Sequence, residues 1–181
     1  MTNTYRSLAV LALATIAFSG GSQACRSSQA EQSAPKGSSA EAYTPPAQGT
    51  ASLVESVHAL RTANHEVIVS GRLLLPVATR VWVELYPAGS AADADPVARA
   101  ELYLAPGGAF ETEALKAPDG TDIRVAITSH FTRSWQAQEV LTAVGAGGMK
   151  LPKSALKPDN PANPQSAGHL ENTGVVQVTE S

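Results

Sequence analysis

Thr79-Arg80-Val81-Trp82-Val83-Glu84-Leu85-Tyr86 alternates strictly between two faces. Val81, Val83 and Leu85 fall on one side, while Arg80, Trp82, Glu84 and Tyr86 fall on the other, which is the period of a half-buried β-strand. The same period runs through His65 to Leu75, where Val67, Val69, Gly71, Leu73 and Leu75 share a face and Pro76 ends the ladder because it has no N–H to donate. Outward from these two strands the pattern recurs. Ala98, Ala100, Leu102 and Leu104 alternate with Arg99, Glu101 and Tyr103, and Ile123, Val125 and Ile127 alternate with Asp122, Arg124 and Ala126. Ala105-Pro106-Gly107-Gly108 predicts a tight hairpin joining Ala98–Leu104 to Ala109–Leu115, and Pro118-Asp119-Gly120 predicts a second turn. A short strand over Leu53–Leu60, another containing Trp135, Val140 and Val144, and one at Val175–Val178 complete the expected set. Many short strands at this spacing predict an all-β fold, a single antiparallel β-sandwich.

The N-terminus fixes an expected compartment. Arg6 precedes an apolar run from Leu8 to Phe18, too short for a permanent membrane helix, and Ser22 and Ala24 are small residues at the positions a signal peptidase inspects. Residues 1–24 therefore predict a signal peptide, and Cys25, the one cysteine of the chain, becomes the expected first residue after cleavage. Ser22-Gln23-Ala24-Cys25 resembles the lipobox of bacterial lipoproteins. Ala24 and Cys25 match it, while Ser22 and Gln23 stand where lipoboxes usually carry an aliphatic and a small residue. The resemblance implies a thioether-linked lipid on Cys25 and anchorage to a membrane of the bacterial cell envelope, at the periplasmic face or the surface of the outer membrane. The remaining alternative is simple secretion with an unpaired thiol.

Residues 25–50 are rich in Ser, Gln, Ala, Glu, Pro and Gly and have little apolar surface to offset the entropy of ordering, so they predict a flexible linker. Residues 51–151 form the expected sandwich domain. Residues 152–181, with Pro152, Pro158, Pro161 and Pro164, predict an irregular surface arm. With 13 basic and 16 acidic residues the chain is mildly acidic, and no basic patch calls for nucleic acid.

Val69-Ser70-Gly71-Arg72-Leu73, Val81-Trp82-Val83-Glu84-Leu85, Gly107-Gly108-Ala109-Phe110 and Ile123-Arg124-Val125-Ala126-Ile127 together resemble the transthyretin-like and carboxypeptidase-regulatory-like sandwich modules of exported bacterial proteins, an immunoglobulin-like architecture. The likeness covers roughly His65 to Phe131, and the sequence departs from it at Leu75-Pro76-Val77-Ala78, where those modules carry Gly-x-Pro. It implies a binding, spacer or assembly module.

No residue set announces catalysis. There is no Gly-x-Ser-x-Gly elbow, Ser129 and His130 point to opposite faces of one strand, and Glu111 and Glu113 read as solvated carboxylates. Gly145-Ala146-Gly147-Gly148-Met149-Lys150 lacks phosphate-loop spacing. The four histidines, His58, His65, His130 and His169, have no metal-site spacing, so only folding gathers them; of these, His58, His65 and His130 are the ones expected near one end of the sandwich. Neither a cofactor nor a metal is expected. The remaining candidates are aromatic. Trp82, Tyr86 and Tyr103 share faces with Arg80, Glu84, Arg99 and Glu101. Exposed, they form a platform for a partner protein or a sugar ring; buried, Trp82 fills the core, as does Trp135, and Tyr103 is left at the surface. The expected function is a noncatalytic envelope lipoprotein acting as a protein-binding or assembly module, the alternative being a surface carbohydrate-binding module.

Overall fold

The computed structural model describes residues 43–118, 120–163 and 166–180, so Cys25 and the expected signal peptide lie outside the described residues. Among the described residues there are nine strands and one α-helix: β1 (Val54–Arg61), β2 (Glu66–Leu73), β3 (Arg80–Pro87), β4 (Ala98–Tyr103), β5 (Ala109–Glu111), β6 (Leu115–Lys116), β7 (Asp122–His130), α1 (Gln138–Val144), β8 (Lys157–Pro158) and β9 (Gly168–Glu180). The fold is all-β.

The strands form one sheet in the order β4-β3-β7-β9-β1-β2-β5, with β6 also on β2 and β8 on β9. The sheet curls until it is nearly closed around a single apolar cluster. Val81, Val83 and Leu85 of β3 enter that core with Ile123, Val125 and Ile127 of β7 and Val67, Val69 and Leu73 of β2, all at most 2% exposed. Each Val or Leu buried in this way contributes about 1.5–3 kcal/mol relative to exposure. The alternation read in β2, β3, β4 and β7 is the alternation observed. Among the described residues all strand pairs are antiparallel except β1 with β9, which run parallel from Ala59↔Val178 to Arg61↔Glu180.

Four expectations change. The hairpin expected between Ala98–Leu104 and Ala109–Leu115 does not form: β4 pairs with β3, and β5 crosses to pair with β2 through Gly71↔Phe110. The cause lies in Pro106–Gly108, a 3₁₀ turn in which Gly107 and Gly108 hold φ of 74° and 76°, steering the chain away from β4. A Cβ on Gly108 would sit 1.8 Å from the Leu73 carbonyl oxygen, so no other residue fits.

The expected strand at Trp135–Val144 is instead α1, which buries Val140, Leu141 and Val144. The C-terminal arm expected as irregular contains β8 and the thirteen-residue β9, which sits between β7 and β1 in the sheet. The end of the expected linker also belongs to the domain, because Tyr43 packs on the core and its hydroxyl donates to the Leu74 carbonyl at 3.1 Å. Among the described residues no helix is long and apolar enough to cross a membrane.

Candidate functional site

The outer face of the β4-β3-β7-β9 half of the sheet carries the sequence candidates. Strand alternation turns Arg80, Trp82, Glu84 and Tyr86 of β3 outward beside Arg99, Glu101 and Tyr103 of β4, and the register places Trp82 opposite Glu101, Glu84 opposite Arg99 and Arg80 opposite Tyr103. On the other flank Tyr86 meets Arg124 of β7. Opposite charges and aromatics are thus direct cross-strand neighbours, the arrangement that stabilises such a face.

These side chains form a connected ladder. The Arg124 guanidinium lies 4.2 Å from the Tyr86 ring centroid, and the Tyr86 hydroxyl donates to Glu84 Oε2 at 3.0 Å. Glu84, only 9% exposed, accepts from Arg99 Nε at 2.6 Å, and Arg99 lies 4.3 Å over the Trp82 ring. The Trp82 indole N–H donates to Glu101 at 3.2 Å, and Arg80 donates to the same carboxylate while lying 4.7 Å from the Trp135 ring. Trp82 and Trp135 meet edge-on at 4.5 Å. Arg80, and after it the Trp82 N–H, hold the Glu101 carboxyl below the usual carboxylate range. Burial, followed by the bond to Glu84, pushes the Tyr86 hydroxyl up.

Trp82 and Tyr86 are therefore half-buried beneath guanidinium groups rather than open platforms. Trp135 is likewise half-buried against Arg80 instead of filling the core. Tyr103 stands in solvent, 62% exposed, at the end of β4. β4 is the terminal strand of the sheet path, and Val97, just before it, is 42% exposed.

At the other end of the face the ladder continues from Trp135 to His130, ring centroids 5.0 Å apart, and from His130 to His169, stacked at 4.9 Å. His130 ends β7 and is paired in register with His169 of β9. His169 Nδ1 lies 2.7 Å from Asp159 Oδ1, and its Nε2 lies 3.4 Å from Glu171 Oε2. Lys157 Nζ holds the other Glu171 oxygen at 2.5 Å and is the main cause of that carboxyl's lowered pKa. Burial, then the charge on His169, lowers the pKa of His130. Sequence reasoning places His58, His65 and His130 near one another, but His130 meets His169 instead. His58 is exposed on β1 opposite Ser70, and His65 occupies the β1–β2 turn at φ 61°. Only the β7–β9 pairing reveals the true partner, because nothing local links positions 130 and 169.

No protein-family model matches the chain, and no curated protein matches its sequence.

Proposed function

We propose that the chain is a noncatalytic, lipid-anchored protein of the bacterial cell envelope whose β-domain docks an extended segment of an envelope partner protein along β4. One observation carries this reading: β4 ends the hydrogen-bonded path of the sheet, with β6 near it but not paired to it among the described residues, and the exposed Val97 and Tyr103 flank its two ends. Such an edge supplies main-chain hydrogen bonds to an added strand, while an exposed aromatic supplies the anchor. The charges beside it, Arg99 with Glu84 and Arg80 with Glu101, are already paired, so a backbone-led contact suits this edge better than attraction to a charged ligand. Stacking on a sugar is less favoured because guanidinium groups cover the rings of Trp82, Tyr86 and Trp135. The resemblance of Ser22–Cys25 to a lipobox supports the anchor.

The test places a photo-crosslinking amino acid at Tyr103 and, in a separate sample, at Met149, which is 70% exposed elsewhere on the surface. A discrete protein adduct is expected from position 103 in envelope membranes, absent from position 149 and lost when Cys25→Ser releases the chain from the membrane. No position-103 adduct, together with quenching of tryptophan emission by envelope glycans, would overturn the reading in favour of carbohydrate binding.

A further inference from the structure

We propose that His130, His169 and Asp159 form a binding site for a divalent transition-metal ion of the zinc class. One ligand atom from each of these residues lies within 4.8 Å of the others, a span that small side-chain movements close onto one ion. Two imidazoles and one carboxylate are the donor set that zinc, nickel, cobalt and copper prefer over magnesium or calcium, which favour oxygen ligands.

The donors sit on paired strands rather than on a loose loop. His130 and His169 are register partners across β7 and β9, so both rings stand on one face. Asp159 follows β8, whose Lys157 and Pro158 pair with His169 and Gly168, and the Asp159 N–H donates to the Ala167 carbonyl at 2.8 Å. Gly168 allows this close approach, since a Cβ there would lie 3.0 Å from the Lys157 carbonyl oxygen. Three backbone connections therefore aim the three donors at one point, as a preorganised site requires.

The surroundings supply the outer support such a site needs. A neutral imidazole has one N–H and one lone pair, yet carboxylates face both nitrogens of His169, Asp159 at Nδ1 and Glu171 at Nε2. The 2.7 Å contact is where His169 shares a proton with Asp159 in the free site; in the tautomer that gives the Nε2–H to Glu171, itself held by Lys157, the Nδ1 lone pair faces Asp159 and is open to a metal. A cation bound between Nδ1 and Asp159 displaces that shared proton, and the Glu171–His169 contact then orients the ligand in the way carboxylate–histidine–metal arrangements do. One ring nitrogen of His130 supplies the third bond, and solvent is left the fourth position. Asp159 and Glu171 against Lys157 leave one net negative charge, which suits a dication.

The site adjoins Trp135, whose ring centroid is 5.0 Å from that of His130, so its emission reports binding. The experiment is calorimetric titration of the full chain, stripped of metal, with Zn²⁺, alongside tryptophan emission with Ni²⁺. One Zn²⁺ per chain at micromolar affinity, quenching by Ni²⁺ and no response to Mg²⁺ are expected. His130→Gln and Asp159→Asn should each weaken Zn²⁺ binding at least tenfold, and Glu171→Gln should weaken it roughly 10- to 100-fold. His58→Gln should leave it unchanged. Asp159 is exposed and does not contribute to the core, so Asp159→Asn remains informative even if a histidine variant misfolds. Absence of stoichiometric Zn²⁺ binding, or binding unaltered in Asp159→Asn, would overturn the proposal.

Discussion

The Gln136 side chain takes the place of a neighbouring strand for Arg80. Its Oε1 accepts from the Arg80 N–H at 2.9 Å, and its Nε2 donates to the Arg80 carbonyl at 2.9 Å and to Ser129 Oγ at 3.0 Å. The β3–β7 register runs from Trp82↔Thr128 to Pro87↔Ile123, so this amide continues the pairing where the strands part. Gln136 is 5% exposed and sits just before α1, which places Trp135 over Arg80. Gln136→Leu keeps the volume but strands the Arg80 N–H, while Ser129 Oγ and the Trp135 N–H still serve its carbonyl. A loss of about 1–3 kcal/mol is expected in denaturant melts, with a shifted tryptophan emission maximum.

Gly108→Ala tests the turn that separates β4 from β5. Left-handed backbone costs an L-residue about 1–2 kcal/mol, and the contact with the Leu73 carbonyl adds to it, so a total loss of about 3 kcal/mol or more is expected. Gly174→Ala, at a position with open space around it, serves as the control and should stay within about 0.5 kcal/mol.

Tyr43 makes stability sensitive to alkali. Burial raises its pKa from 10.0 to about 12, so the folded state retains a proton that the unfolded chain releases. The contribution of Tyr43 is complete below pH 10 and is lost as pH rises from there toward 12. Melting curves between these values should show a steeper alkaline decline in the wild type than in Tyr43→Phe. At neutral pH the variant should lose about 0.5–1.5 kcal/mol, the worth of its bond to the Leu74 carbonyl.

Tyr103 and Trp82 should separate binding from stability. Tyr103→Ala, at an exposed position, should leave stability within about 0.5 kcal/mol while weakening partner capture. Trp82→Ala removes the edge contact with Trp135 and the Arg99 guanidinium contact, and should cost more than about 1.5 kcal/mol. Thermal denaturation of both variants beside the crosslinking assay checks the pair.

The strands with one apolar and one charged face were legible because their period is unambiguous. Arg80 through Tyr86 reads as β3 without any knowledge of its neighbours. α1 was not legible, because Val140 and Val144 stand four apart and share a face in a helix and in a strand alike; Leu141, buried beside Val140, is what only a helix accommodates. β9 was obscured by its composition. Between the buried Leu170 and Val178 the same face carries Asn172, half-buried, and Gly174, exposed, so the hydrophobic alternation is broken in mid-strand and the strand is held by its pairing with β7. The aromatic candidates were identified by residue, but the guanidinium groups over them come from cross-strand register, which a single sequence does not display. The meeting of His130 with His169 was hidden for the same reason.

The position of β9 sets the order in which this molecule becomes a protein. The strand between β7 and β1 is the last of the described strands to be synthesised, so until it arrives the two flanks of the sheet have no common seam. Folding must wait for the far end of the chain, and contacts of such wide separation slow it. A frameshift between Val54 and Gly168 would therefore remove the centre of the sheet rather than its fringe.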